Sequence, residues 1–208
     1  MMDHKVEHKK EKRQEIRVLE FVRSYGIVIF SWLLMISMLG LPEFTIVSST
    51  IQVLILLLWT YFGHRLAHDM TYMNPINPHI FIHHLNLYNL PRWVNLLQEA
   101  IFNMSSFLII LAVQYILGLH IFSTSIVICT GLLYVLIHIG DYSILGNKGH
   151  VNHHKFHTCN YAPDFMDVLF NTRCEKQDEP YENHNIEIFH GIAAVAITFL
   201  LKMQYGLS

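Results

Sequence analysis

Histidine occurs 15 times in 208 residues, and nine of these copies recur at spacings that matter for metal chemistry. The densest set is His150-Val151-Asn152-His153-His154. Upstream stand His64-x-x-x-His68 and His79-x-x-x-His83-His84, and a lone His138 sits in Ile137-His138-Ile139-Gly140-Asp141. On a helix, side chains three and four apart stack over the same turn. Residues 150, 153 and 154 are therefore expected to converge on one point, and the upstream sets to repeat that idea. Neutral imidazole is the commonest metal-ligating side chain. Structural zinc sites close with four ligands, often including cysteine, so nine imidazoles exceed what one such ion takes. Two ions in an all-nitrogen shell keep positive charge that carboxylates would otherwise offset. That suits binding dioxygen and taking hydrogen from an unactivated C–H bond.

Bringing four separated sets together is the task of the surrounding elements. Of all residues 52% are hydrophobic and only 14% charged, a balance suited to lipid. The net charge of −2 gives no sign of a nucleic-acid partner. Four stretches carry no Lys, Arg, Asp or Glu: 24–41, 44–62, 100–119 and 121–137. Each is about 17 to 20 residues, long enough to cross the hydrocarbon core as a helix. Leu41-Pro42-Glu43 breaks the first from the second, and Asn74-Pro75-Ile76-Asn77-Pro78 is a helix-interrupting loop that can turn the second box back towards the first. The expected architecture is all-α and integral to the membrane: four transmembrane helices in two hairpins, with a histidine-rich cap for two metals.

Topology follows from charge. No Lys or Arg lies between Arg23 and Arg65, or between Arg92 and Lys148. The basic residues thus fall in the N-terminal segment, between the hairpins, or after the fourth run. Two-span hairpins put those regions on one side, which the positive-inside rule makes the cytosol. All three boxes and His138 fall there too. Residues 1–23 mix bases with acids four positions earlier and read as a short solvated cytosolic helix. The remainder, 24–208, reads as one membrane domain with its boxes within 61–172, and the N-terminal segment lacks the pattern of a signal peptide. Cys129, Cys159 and Cys174 form no closely spaced pair, and their odd number argues against a disulfide framework and for a reducing compartment. The apolar stretch 186–201, with Gly191 inside it, is short for a span and suits an interfacial or packing helix. His120 belongs to the turn on the opposite side, and His184 and His190 read as surface or capping residues.

The boxes His64-Arg65-x-x-His68, His79-x-x-x-His83-His84 and His150-x-x-His153-His154, with His138 followed by Gly140, Asn160-Tyr161 and Asp167-x-Leu169-Phe170-x-Thr172, resemble those of a known family. It is the fatty acid hydroxylase and sterol desaturase superfamily of membrane non-haem di-iron oxygenases, and the likeness extends from about Tyr61 to Thr172. The resemblance implies an oxidoreductase of lipid biosynthesis that hydroxylates or desaturates a fatty acyl chain or sterol. It would hold two iron ions, with zinc able to replace them in purified protein, and use dioxygen and electrons from NADH or NADPH. A separate reductase and b-type cytochrome would relay those electrons, and the endoplasmic reticulum is the expected membrane. The implied metal ligands are His64, His68, His79, His83, His84, His138, His150, His153 and His154, with no further catalytic residue. The chain departs from the family pattern at Asn171, where glycine is usual, at His157, where an aromatic residue is common, and at Tyr142, where some relatives carry another histidine. His157, Arg65, Asp141, Tyr142 and Asp167 stand beside the ligands and can orient imidazoles by hydrogen bonds. The alternative is a histidine-rich metal-binding or metal-transporting membrane protein without oxygenase activity. Transport predicts ionisable residues lining a path through the spans.

Overall fold

The computed structural model describes residues 3–70, 79–84, 90–156, 158–174 and 187–207, with the backbone alone at 3–18, 20 and 81–83. All regular elements among these residues are helical. Helix α1 spans Asp3–Leu39 and α2 Ile46–Asp69. A π-helical turn, His79–His84, precedes α3, Arg92–Leu117. Helix α4, Thr124–Leu136, runs directly into a π-helix, Ile137–Leu145. Two short helices follow, α5 (Lys148–Lys155) and α6 (Asp164–Leu169), and the last is α7, Glu187–Tyr205.

Among the described residues five helices, not four, are long and apolar enough to cross a membrane. The expected first span and the charged segment before it form one helix, because no proline interrupts residues 3–39 and the Lys, Glu, Gln and Leu between them favour helix. The added fifth helix is α7, whose 19 residues rise about 28 Å. It packs on α1 and α4. Gly191 makes the approach to α1 possible, since a Cβ there would meet Trp32 Cδ1 at 2.6 Å. Trp32 Nε1 donates to the Glu187 carbonyl at 3.2 Å, and Lys202 Nζ donates to the Leu39 carbonyl at 2.9 Å. Interruption by glycine and alanine, which makes 186–201 read as too weak for a span, is what lets α7 nest against its neighbours.

The core forms along stripes three and four residues apart. On α1 the buried positions are Tyr25, Val28, Trp32, Ile36 and Leu39. On α2 they begin at Ser49, Gln52 and Val53 and continue through Leu56, Leu57, Thr60 and Tyr61 to His64 and His68. The rotation that packs Leu57 and Tyr61 against the bundle therefore also turns the first box inward. Helix α4 is the most enclosed, with Ile126, Val127, Cys129 and Leu133 buried. Outward residues such as Phe30, Leu54, Ile109 and Ile116 are exposed and apolar, the surface a lipid-facing bundle presents.

At the end away from the histidines, backbone groups are met by buried amides. Gln114 Oε1 accepts from the amides of Ile121 and Phe122 and closes the α3–α4 turn. Gln52 Oε1 accepts from the Ser123 amide at 2.8 Å and ties α2 to the start of α4. Both contacts satisfy donors that lipid cannot.

Replacing Gly191 with Leu is expected to drive Trp32 from its site and destabilise the bundle by about 1–3 kcal/mol. Gly63→Ala, where an added Cβ meets nothing within 4 Å, should leave stability equal or slightly raised. Thermal unfolding of the two detergent-solubilised variants checks the pair.

Candidate metal centre

The inward stripe of α2 delivers His64 and His68 to the bundle end with their Nε2 atoms 3.2 Å apart. His79 and His84 sit at the two ends of the π-helical turn. The π turn hydrogen-bonds residues five apart, and across it His79 and His84 approach, Nε2 to Nε2 at 3.2 Å. His79 Nε2 is also 3.0 Å from His68 Nε2, which joins the first box to the second. The side chain of His83 lies outside the described residues.

The third box is carried by α5. Asn147 caps this helix, its side chain accepting from the His150 amide at 3.2 Å and donating to Asp141 at 3.3 Å. The short helix does not aim its three histidines at one point, as their spacing had suggested. His153 turns to the first two boxes, with ring centroids 4.9 Å from His64, 4.6 Å from His68 and 5.0 Å from His84. His150 and His154, four apart, pair with each other at 3.0 Å between Nε2 atoms. The His138 ring lies 4.9 Å from that of His150. The two groups adjoin where His84 and His154 come within 4.5 Å.

His64, His68, His79, His84 and His153 each offer a nitrogen, and these atoms lie within 4.8 Å of one another. Ligand nitrogens about 2.1 Å from a metal stand about 3.4 Å apart when neighbouring in a tetrahedral shell and about 3 Å apart in an octahedral one. The observed 3.0–3.2 Å separations along the chain His64, His68, His79, His84 match adjacent ligands. Four of the five residues are buried and His84 is partly so, which limits water around an ion held there. The five-histidine group can hold a metal ion. An all-imidazole set suits zinc, copper, iron or nickel above calcium or magnesium.

The surroundings fix the rings. His153 Nδ1 donates to the Cys159 carbonyl at 2.8 Å, which leaves Nε2 as the ligating atom. Tyr142 stacks on His150, centroids 4.9 Å apart and 16° between planes, and its hydroxyl donates to Asp164 at 3.0 Å. Tyr161, absent from the expected site residues, packs its ring against His64, His68 and His153. Phe102 stacks on His79. The Asn-x-x-His spacing of Asn147 and His150 is the sequence signal of a helix N-cap, and Phe102 carried no signal of its own.

Of the residues expected to orient imidazoles, Tyr142 touches them directly. Asp167 acts one step away. Its carboxylate accepts from the amides of Tyr161 (2.8 Å) and Ala162 (2.7 Å) and from the Thr172 hydroxyl (2.6 Å). Thr172 in turn meets the Tyr61 hydroxyl on α2 at 2.9 Å. Burial pushes the Asp167 carboxyl up to about 7, against the opposing pull of those three hydrogen bonds. Arg65 instead pairs with Asp69 at 3.9 Å on the exposed side and lies 6.0 Å over the Tyr161 ring. Asp141 engages Asn147. His190 packs on Gly140, whose Cβ would meet its Nε2 at 2.9 Å. His157 and His184 lie outside the described residues. Contrary to the expectation from cysteine number, Cys159 and Cys174 form a disulfide, Cα atoms 5.2 Å apart, while Cys129 is buried and free. The fold of α6 brings the two ends of that segment together, a proximity that sequence separation hides.

Fold and site define an all-helical protein with five helices of membrane-spanning length and a histidine cluster able to hold a metal ion. The chain matches no protein-family model, and no curated protein or solved structure matches it.

Two outcomes follow from this geometry. Purified protein incubated with zinc should retain it at neutral pH, and His68→Ala, which removes the imidazole between His64 and His79, should release most of it. Because imidazole binds metal only when neutral, acidification below about pH 6 should also strip the ion. Elemental analysis after desalting reads both. Separately, Asp167→Asn turns an acceptor into a donor facing an amide and should cost about 1–3 kcal/mol, seen as a lower melting temperature.

Proposed function

We propose that the chain is an integral membrane non-haem di-iron oxygenase that hydroxylates or desaturates a lipid, of the fatty acid hydroxylase and sterol desaturase type. The observation that carries this is the convergence of three boxes from two hairpins. His153 of the last box stands with His64 and His68 of the first and with His79 and His84 of the second, within 4.8 Å. A second ion would lie against His138, His150 and His154. The metals, when bound, supply the dioxygen chemistry that takes hydrogen from an unactivated C–H bond.

The protein's own residues hold and orient. Cys159 presents its carbonyl to His153 and so keeps Nε2 towards the ion. Burial of His138, His150 and His153 excludes water from an oxidising site. The cluster sits where α2 leaves its lipid-facing stretch, beside the exposed apolar residues Phe62, Leu66, Leu169 and Phe170. Phe170 stacks on Tyr61 at 4.7 Å and packs on Phe62 at 5.4 Å, which supports a cap bordering the inner lipid boundary. On this reading a lipid chain would reach the cluster from within the membrane. Electrons derived from NADH or NADPH would come from a separate b-type cytochrome and reductase.

Charge supports a cytosolic site, and the family resemblance implies the endoplasmic reticulum as its membrane. Arg23, Arg65, Arg92, Lys148, Lys155 and Arg173 lie at the histidine end, while Lys202 lies at the other. By the positive-inside rule this distribution favours the cytosol for the histidines. Metal transport finds less support, because among the described residues Ser49, Gln52, Thr130 and Thr198, buried along the bundle, are uncharged, and the buried ionisable groups of the candidate spans, Glu187, His64, His68 and His138, do not continue as a path beyond the histidine end.

The deciding experiment compares total lipids, by mass spectrometry, from cells producing the wild-type chain and His153→Ala. A product heavier by one oxygen or lighter by two hydrogens is expected in the first alone, together with close to two irons in the purified wild type. Metal retained with lipids unchanged would replace the oxygenase by a metal-binding protein.

A further inference from the structure

We propose that Cys159 and Cys174 form a thiol–disulfide switch that sets how firmly His153 holds a metal ion. The switch rests on the metal-binding capacity of the five-histidine group and not on the oxygenase reaction.

The disulfide is one covalent step from the site. Cys159 supplies the carbonyl that accepts from His153 Nδ1 at 2.8 Å, and the same residue is bonded through sulfur to Cys174. Around that link, the Asn160 amide donates to the Thr172 carbonyl at 2.8 Å, and the Cys174 amide donates to Asn160 Oδ1 at 3.1 Å. Asn160 Nδ2 reaches back to the Gly149 carbonyl on α5 at 2.9 Å. Residues 159–160 and 172–174 thus form one strap, pinned to the helix that carries His153. Asn160 and Ala162 hold left-handed backbone, with φ of 56° and 54°, a conformation non-glycine residues keep only under restraint from their surroundings.

Breaking the sulfur link removes the strap's covalent restraint. Cys159 Sγ lies 3.2 Å from the Phe156 carbonyl, an acceptor its S–H takes once reduced. Without the bond to Cys174, Cys159 is held to the strap by non-covalent contacts alone, and its carbonyl is free to shift from His153. His153 then loses the acceptor that holds its tautomer and ring orientation. Loss of such a partner typically costs 10–100-fold in metal affinity.

The two sulfurs are unequally reachable, as a switch requires. Cys159 is partly exposed beside exposed Phe156 and Thr158, whereas Cys174 is buried. Small thiols and peroxides therefore meet Cys159 first. In oxidation, the two thiols give up two electrons and two protons as the S–S bond forms, and hydrogen peroxide takes them up to become two waters. In reduction, a dithiol or two small thiols return the electrons and protons and leave as a disulfide. Disulfides facing a reducing compartment are as a rule transient and redox-sensing, which fits a site at the basic end of the bundle.

The test uses full-length protein in detergent, loaded with zinc, either oxidised with peroxide or reduced with a phosphine that is removed by desalting. Peptide mapping should find the 159–174 crosslink in the oxidised sample. Zinc transfer to a chelator should be roughly ten-fold faster after reduction. The double variant Cys159→Ser, Cys174→Ser should release zinc at the fast rate under both treatments. Equal release by reduced and oxidised wild type, a redox response that persists in the double variant, or absence of the crosslink overturns the switch while leaving the metal site standing. Protein that takes up no zinc in either state overturns both.

Discussion

Five imidazole nitrogens drawn within 4.8 Å of one another is the constraint on which the rest of the structure depends. Burying that many polar rings is unfavourable unless each is met by a partner or an ion. Helix packing supplies the opposing free energy. The stripe that buries Leu56, Leu57 and Tyr61 of α2 between neighbouring helices continues, without a change of register, into His64 and His68. The site is the polar end of a hydrophobic seam. Displacing α2 by one residue around its axis would lose the packing and the ligands together.

Two departures from α-helical winding complete the cluster. The π-helical turn at His79–His84 brings its first and last residues to the same side, and the π-helix at Ile137–Leu145 widens the end of α4 where His138 and Tyr142 face His150. Such segments are rare because their hydrogen-bond geometry is poorer, and they concentrate where function requires them. Here both carry histidines of the cap, and the second continues α4 directly into it. The close fit of Gly140 against His190 on α7 adds a wall behind the widened helix.

Around the third box, hydrogen bonds do what hydrophobic packing does along α2. Asp167 gathers two backbone amides and the Thr172 hydroxyl, Thr172 meets Tyr61, and Asn160 joins α5 to the segment at Cys174. Each of these bonds is worth little alone. Together they lock a loop with left-handed residues over three imidazoles, and one of its carbonyls orients His153. Tyr161 is the common surface on which the first and third boxes rest.

What the sequence determined by itself is what depends on composition and short spacing. The four uninterrupted apolar runs, the two hairpins, the boxes and their joint position at the basic end could all be read from it, because length in lipid and i, i+4 geometry are local properties. The tertiary structure alone decided the rest. It wound the second box as a π turn, across which His79 meets His84, and it divided the third box, sending His153 one way and His150 with His154 the other. It made of α7 a fifth helix long and apolar enough to span, whose glycine and alanines look weak until Trp32 is set against them. It paired Cys159 with Cys174 across the turn made by α6. Each of these outcomes is set by which surfaces meet after the helices pack, and residues far apart in the chain hold no record of that meeting in their local pattern.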